Sequence, residues 1–349
     1  MTRTIRTAGT LFVSALLSAC AGGGKTAGPI PGADTTKIPI NDMTANARYL
    51  GFEGGLYPAG NAIPTAHLSA GIIHAKAIQP LDVNGTPNAG GRYVLISIGM
   101  SNTTQEFCSA GANPPCASWS FMGQAAADPA VNHATLAIVN GARGGQAASS
   151  WTSPTSAEYD RIRDSWLTPS GLSELQVQVA WVKVANAQPT LSLPSSTSDA
   201  YTLVSQMATI ARTLKQRYPN LQLVFFSSRI YAGYATTTLN PEPYAYESGL
   251  AVKWVVQAQI DQIQQGSVQN TRAGDLDYRT VAPWIGWGPY LWAHGATPRS
   301  DGLAWLATDV ESDGTHPSQS GEQKVGGLLL DFFKTSPVTQ CWFLTARSC

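Results

Sequence analysis

The sequence predicts a doubly wound, flavodoxin-like α/β fold, a three-layer α/β/α arrangement around a mainly parallel five-stranded sheet. Three observations predict it. Short apolar runs rich in Val, Ile, Leu and Phe recur along the chain, and unbroken runs of this kind suit strands buried on both faces of a parallel sheet. Most of these runs lead into Gly, Asn or Ser. Between them lie longer segments with helical spacing, so strand and helix alternate as they do when helices cover both faces of a parallel sheet.

Tyr93 to Ile98 is the first such strand and ends in Gly99. Leu136 to Val139 is the second and runs into Asn140-Gly141, Val177 to Val184 the third, Leu221 to Phe226 the fourth, and Thr280 to Ile285 the fifth. Helices are expected at 118–128, 156–166, 199–218, 246–265 and 318–334. Asp199 and Ser318 are the residue types that cap a helix N-terminus, and Pro219-Asn220 stops the third helix. With 33 Gly and 22 Pro in 349 residues, the connecting loops are long.

The N-terminus stands apart from this pattern. Arg3 and Arg6 precede an apolar stretch from Leu11 to Leu17, followed by Ser18, Ala19 and Cys20. A basic start, a short apolar run and small residues are the plan of a secretory signal, too short for a membrane-spanning helix. Leu17-Ser18-Ala19-Cys20 resembles the bacterial lipobox, which implies that Cys20 is acylated and becomes the first mature residue. The expected organisation is a signal at 1–19, a Gly-, Ala-, Thr- and Pro-rich tether at 20–39, and one domain at 40–349 with an N-terminal extension at 40–92. The chain is expected to be exported and held by Cys20 on a membrane, facing the periplasm or cell exterior.

Cysteine spacing agrees with export. The other four cysteines fall into two local pairs, Cys108 with Cys116 and Cys341 with Cys349, most simply two disulfides. Neither pair has the close spacing or neighbouring His of a zinc site. His67, His74, His133 and His294 lie far apart without H-E-x-x-H spacing, so no metal is expected. No phosphate-binding or dinucleotide motif occurs, so no cofactor is expected either. Only 13% of residues are charged, with 22 basic and 22 acidic, which argues against a nucleic-acid partner.

In a doubly wound sheet the site lies beyond the carboxyl ends of the strands, and those ends carry acyl-transfer chemistry. After the first strand comes Gly99-Met100-Ser101-Asn102, and after the second Asn140-Gly141-Ala142-Arg143-Gly144-Gly145. Asn186 follows the third, and Asp313-Gly314-Thr315-His316 precedes the last helix. A Ser hydroxyl needs a base to become a nucleophile, the base needs an orienting carboxylate, and an oxyanion needs fixed donors. Taken singly, each of these tracts also reads as a turn or a strand end. Their joint occurrence at successive functional ends singles them out.

These blocks, in this order, resemble the SGNH hydrolase superfamily, also called GDSL esterases and lipases. The resemblance implies Ser101 as nucleophile, His316 as general base and Asp313 as its orienting acid. It implies an oxyanion hole from the Ser101 N–H, Gly145 (or Gly144) and Asn186. Met100 stands where the family has Asp, and G-M-S-N looks more like the G-Q-S-N of carbohydrate acetylesterases. Val184-Ala185-Asn186-Ala187 departs from the family's G-x-N-D. The expected reaction is cofactor-free hydrolysis of carboxylic esters, acetyl esters of glycans first.

Substrate contacts are expected from Asn102, Arg143, Arg229 and Tyr231, and from Trp287 and Trp292 in the aromatic stretch after the fifth strand. A short-chain lipid esterase or an acyltransferase would use the same residues. A catalytically silent carbohydrate-binding lipoprotein would use the aromatic stretch but have no need of Ser101, Asp313 and His316 together.

Overall fold

A computed structural model of the chain describes residues 36–44, 46–109 and 114–345. Two short strands, β1 (Arg48–Tyr49) and β2 (Phe52–Glu53), pair antiparallel within the N-terminal extension. The main sheet holds β3 (Tyr93–Gly99), β4 (Leu136–Asn140), β5 (Val177–Lys183), β6 (Leu223–Phe226) and β7 (Trp284–Trp287). All five are parallel, in the order β4-β3-β5-β6-β7. This is the flavodoxin-like order, and its strand order reverses between β3 and β5, where sheets of this type form their ligand crevice.

The pleat explains the unbroken apolar runs. Successive side chains point to opposite faces, and both faces are covered. Val94, Ile96, Ile98, Val182, Val224 and Phe226 share a core with α5 (Asp199–Arg217) and α6 (Tyr244–Gln265). Their alternates Leu95, Val179, Trp181 and Phe225 pack instead with α2 (Ser101–Cys108), α3 (Phe121–Ala127) and α7 (Gln319–Thr335). Helix α4 (Ala157–Ile162) continues as a wider turn through Arg163–Leu167, and α8 (Gln340–Phe343) closes the described chain.

Several local expectations shift. The fifth strand is Trp284–Trp287, not Thr280 to Ile285. The Asp277 carbonyl accepts from the N–H groups of Thr280, Val281 and Ala282, which turns that stretch away from the sheet. Ser198, not Asp199, is the N-cap of α5. Asp199 opens the helix, and its carboxylate accepts from the Thr190 and Leu191 N–H groups. Ser318 does occupy the N-cap of α7, but its hydroxyl donates to the Thr308 carbonyl.

The extension carries a helix the sequence did not announce, α1 (Thr65–Lys76). Pro64 at its N-cap offers no side-chain acceptor and Ile73 is exposed, so neither a cap nor a clean apolar stripe marks it. Tertiary contacts hold it. Trp284 Nε1 donates to the His67 carbonyl at 3.0 Å, the His67 ring stacks on Trp284, and its Nε2 bonds the Ile285 carbonyl. The Ile38 carbonyl accepts from Tyr246 and the Ile40 N–H donates to Tyr290, so the chain is already docked at Ile38, inside the stretch expected as tether.

The Cys108–Cys116 disulfide is formed. Cys341 is also disulfide-bonded, while Cys349, the signal stretch and Cys20 lie outside the described residues. Trp284→Ala removes a fully buried ring and the α1 bond together, and is expected to cost about 3–5 kcal/mol. A urea titration followed by far-UV circular dichroism checks it.

Candidate active site

Gly99 ends β3 so close to β5 that a Cβ would sit 2.1 Å from the Lys183 carbonyl oxygen, so only glycine fits. Ser101 follows two residues later and opens α2. Its sequence, Ser-Asn-Thr-Thr-Gln-Glu-Phe-Cys, has few strong helix formers, and packing against β5 holds it. Thr103 Oγ1 donates to the Lys183 carbonyl at 2.6 Å, and Lys183 Nζ donates to both oxygens of Glu106, with both side chains fully buried. Burial pushes the Glu106 carboxyl up and the Lys183 ammonium down, to about 8. Asn140 at the end of β4 adds a third tie, accepting from Ser97 and donating to Thr104 Oγ1 at 2.7 Å.

The loop before α7 brings the remaining groups to Ser101. His316 Nε2 lies 2.8 Å from Ser101 Oγ, and His316 Nδ1 lies 2.5 Å from Asp313 Oδ2. Asp313 Oδ1 accepts from the N–H groups of Thr315 (2.8 Å) and His316 (3.0 Å). Partial burial pushes this carboxyl up, but the N–H and imidazole bonds outweigh it and hold Asp313 below the usual carboxylate range. A carboxylate at Nδ1 selects the tautomer with its proton there, which leaves Nε2 free to accept from the Ser101 hydroxyl.

Three contacts fix this loop. Gly314 has φ +65°, and a Cβ there would lie 1.8 Å from the Tyr234 carbonyl oxygen. The Thr236 N–H donates to the Asp313 carbonyl at 2.9 Å, and Asn102 Nδ2 donates to the Thr315 carbonyl at 2.8 Å. Asn102, expected to touch substrate, is 2% exposed; it ties α2 to the loop that carries Asp313 and His316 and also borders the hollow beside Ser101.

Ser101 sits between two hollows. One, of about 280 Å³, is lined by Ser101, His316, Gly145, Asn186, Arg229 and Leu239 among others. The other, of about 510 Å³, meets Ser101, Gly144, Arg143, Arg161 and Trp166. Among the described residues, the N–H groups of Ser101, Gly144 and Gly145 donate to no protein acceptor. Asn186 is oriented by its 2.7 Å bond from Nδ2 to the Asp199 carbonyl, and its Oδ1 is buried without a partner. Nδ2 also lies 3.4 Å from Asp199 Oδ1, so the amide group is turned toward α5.

Three expected contacts fall elsewhere. Trp287 and Trp292 are buried core residues, their indole N–H groups donating to the Leu56 carbonyl and to Glu242. The shifted strand is the reason, since it puts Trp287 inside β7. Tyr231 packs edge-on against Tyr234 and Trp292 and lines neither hollow. Arg143 borders the larger hollow, mostly exposed and paired with Glu158 at 3.0 Å. Among the described residues, none between 40 and 92 lines either hollow. Among the same residues, no group of three His, Cys, Asp or Glu side chains could hold a metal ion.

Glu106 escaped the sequence reading. The signal was Lys183, a lone charge closing the apolar run Val177 to Val182, because a charge in a buried strand must find a partner.

No protein-family model and no curated protein matches the chain. Solved structures resemble it distantly. A GDSL-like lipase candidate from Parabacteroides merdae is 12% identical over 73% of this chain and 97% of that one, with a TM-score of 0.38. A carbohydrate esterase family 2 enzyme with a carbohydrate-binding domain from Corynascus thermopiles is 12% identical over 72% and 68%, at 0.38. A family two carbohydrate esterase from Cellvibrio japonicus is 13% identical over 72% and 63%, at 0.36.

Glu106→Gln strips the countercharge from a buried Lys183 and is expected to lower stability by about 3–5 kcal/mol. Pairing Glu106→Leu with Lys183→Met is expected to restore most of it, compared by urea midpoint.

Proposed function

We propose that this chain is an exported serine esterase of the SGNH type, hydrolysing carboxylic esters, acetyl esters of carbohydrates first, through an acyl-enzyme. The observation that carries the reading is the hydrogen-bonded line Ser101 Oγ, His316 Nε2, His316 Nδ1, Asp313 Oδ2, with spacings of 2.8 and 2.5 Å at its two links. A turn that served only structure has no need of a serine hydroxyl at the end of that line, opening into a hollow beside unengaged N–H groups.

In this mechanism Ser101 Oγ attacks the ester carbonyl carbon while His316 Nε2 takes the hydroxyl proton. Asp313 holds the imidazole in place and stabilises its charged form. The negative oxygen of the tetrahedral intermediate is met by the Ser101 N–H, by the N–H of Gly145 or Gly144, and by the Asn186 amide once it exchanges its 3.4 Å contact with Asp199 Oδ1 for the oxyanion. Collapse breaks the bond to the alcohol oxygen, which leaves with the proton from His316. Water then gives a proton to Nε2, attacks the acyl-serine, and releases the acid and the Ser101 hydroxyl.

Export rests on the N-terminal sequence, with Cys20 as the acylated first residue of the mature chain. No described helix is long and apolar enough to cross a membrane, and the lipid on Cys20 is the proposed anchor. Cys20→Ser is expected to move the enzyme from the membrane fraction to the soluble one with hydrolysis retained; cell fractionation with an ester assay reads both.

Ser101→Ala and His316→Ala are expected to lower kcat by about 10⁴-fold or more. Asp313→Asn should retain about ten- to a hundredfold more activity than His316→Ala, because Asp313 orients the base and transfers no proton. Steady-state hydrolysis of an aryl acetate, with circular dichroism to show folding, measures the order. Fluorophosphonate should label the Ser101 peptide in wild type and not in His316→Ala. Undiminished turnover by Ser101→Ala would overturn the mechanism.

A further inference from the structure

The smaller hollow beside Ser101 contains a cation without a partner. Arg229 follows β6, is 1% exposed, and lines this hollow together with Ser101 and His316. Its Nε and Nη1 are buried and meet no acceptor, and among the described residues no hydrogen bond is made by any atom of its guanidinium. Buried guanidinium groups are ordinarily paired, because leaving such a charge desolvated and unbonded is costly.

The three carboxylates near enough to act on Arg229 are Glu106, Glu242 and Asp313. Each is engaged elsewhere. Glu106 is held by Lys183, Asp313 by His316 and the loop N–H groups, and Glu242 by Trp292 Nε1 and the Ala232 N–H. They balance the charge of Arg229 at a distance and leave its donors free. Burial lowers its pKa from the ordinary arginine value, the direction expected of a cation short of partners.

We infer that Arg229 recognises a carboxylate on the substrate, so that the preferred esters are anionic: acetyl esters of an acidic sugar such as a uronate, or hemiesters of a short dicarboxylic acid. This rests on the esterase reading of Ser101 and names its substrate class. A planar guanidinium offers paired donors to a carboxylate, and the bond strengthens away from water. The remaining walls, including Ala185, Ala187 and Leu239, supply no competing charge.

The test compares matched pairs: mono-acetyl methyl glucuronoside against mono-acetyl methyl glucoside, and 4-nitrophenyl hemisuccinate against 4-nitrophenyl butyrate. The anionic member of at least one pair is expected to be favoured by about tenfold or more in kcat/KM, and the pair that shows it tells which half of the ester carries the carboxylate. Arg229→Met, which keeps much of the bulk and removes the charge, should collapse that ratio to about one or below. A ratio of one in wild type, or one that survives in Arg229→Met, overturns the inference. So does an equal loss on both members, which would assign Arg229 to the charge balance of Asp313. Should Arg229→Met not fold, the wild-type ratios decide.

Calorimetric binding of glucuronate and succinate to Ser101→Ala, against glucose, scores Arg229 without turnover. Binding of either anion and not of glucose supports the inference, and binding of neither overturns it. Failure of wild type to cleave any of the four esters counts against the esterase reading and leaves the binding result to judge Arg229.

Discussion

Lys183 is the residue on which the geometry at Ser101 depends. Its carbonyl lies where a side chain on Gly99 would have to be, so β3 and β5 approach at their carboxyl ends only because residue 99 is glycine. The same carbonyl accepts from Thr103, and the ammonium holds both oxygens of Glu106. One residue thus fixes the exit of β3, the first turn of α2 and its second turn. A helix of weak intrinsic propensity gains a defined axis, and Ser101 at its start gains a defined position. Burying an ion pair is a poor route to stability compared with apolar packing; here it joins two elements at one register.

Sheet order then decides which strand ends can contribute. β3, β4, β5 and β6 are consecutive in space once the order β4-β3-β5-β6-β7 is considered, and each supplies a group near Ser101: Ser101 itself, Gly145, Asn186 and Arg229. β7 lies three strands from β3, about 14 Å at ordinary strand spacing. Aromatic residues at the end of β7 and after it are thus too far from Ser101, and they pack the extension against α6 instead. Trp287 bonds Leu56, and Tyr290 bonds Ile40. The loop of Asp313 and His316 reaches the site from outside the sheet, seated by Gly314 on Tyr234 and by Asn102 on Thr315.

The legible parts of the sequence were those whose signal is local. A strand buried on both faces must be apolar throughout, so Tyr93 to Ile98 and Val177 to Val184 stand out. A turn at a strand end must be built from Gly, Ser and Asn, so Ser101, Gly145 and Asn186 could be named, as could Asp313 and His316 from their mutual spacing. What was hidden is what depends on distant partners. α1 is held by Trp284, more than 200 residues away, and α2 by β5. Lys183 was visible as an isolated charge, but its partner Glu106 lies 77 residues earlier in a segment with no apolar stripe. The fifth strand was misplaced because three N–H groups captured by one carbonyl cannot be seen in residue types. The aromatic stretch was read by composition, and composition does not distinguish a stacking surface from a core.

The two hollows are not equivalent once His316 is given the role of acid and base. In the proposed mechanism the imidazole that takes the Ser101 proton must return it to the departing oxygen, which would put the alcohol half of the ester on the side that His316 faces. His316 borders the smaller hollow with Arg229, whereas the larger one, bordered by Gly144, Arg161 and Trp166, meets Ser101 without meeting His316. That mechanism would direct the acyl group toward the larger hollow and the alcohol toward the smaller. Of the two places open to a substrate carboxylate, proton delivery in this mechanism favours the alcohol half. An acetylated uronate meets that condition, because its acetyl group would sit over the open side while its acid lies under Arg229. A hemiester of a dicarboxylic acid would reach Arg229 only in the opposite orientation, with its acyl half in the smaller hollow, and a preference for the hemisuccinate would report that orientation.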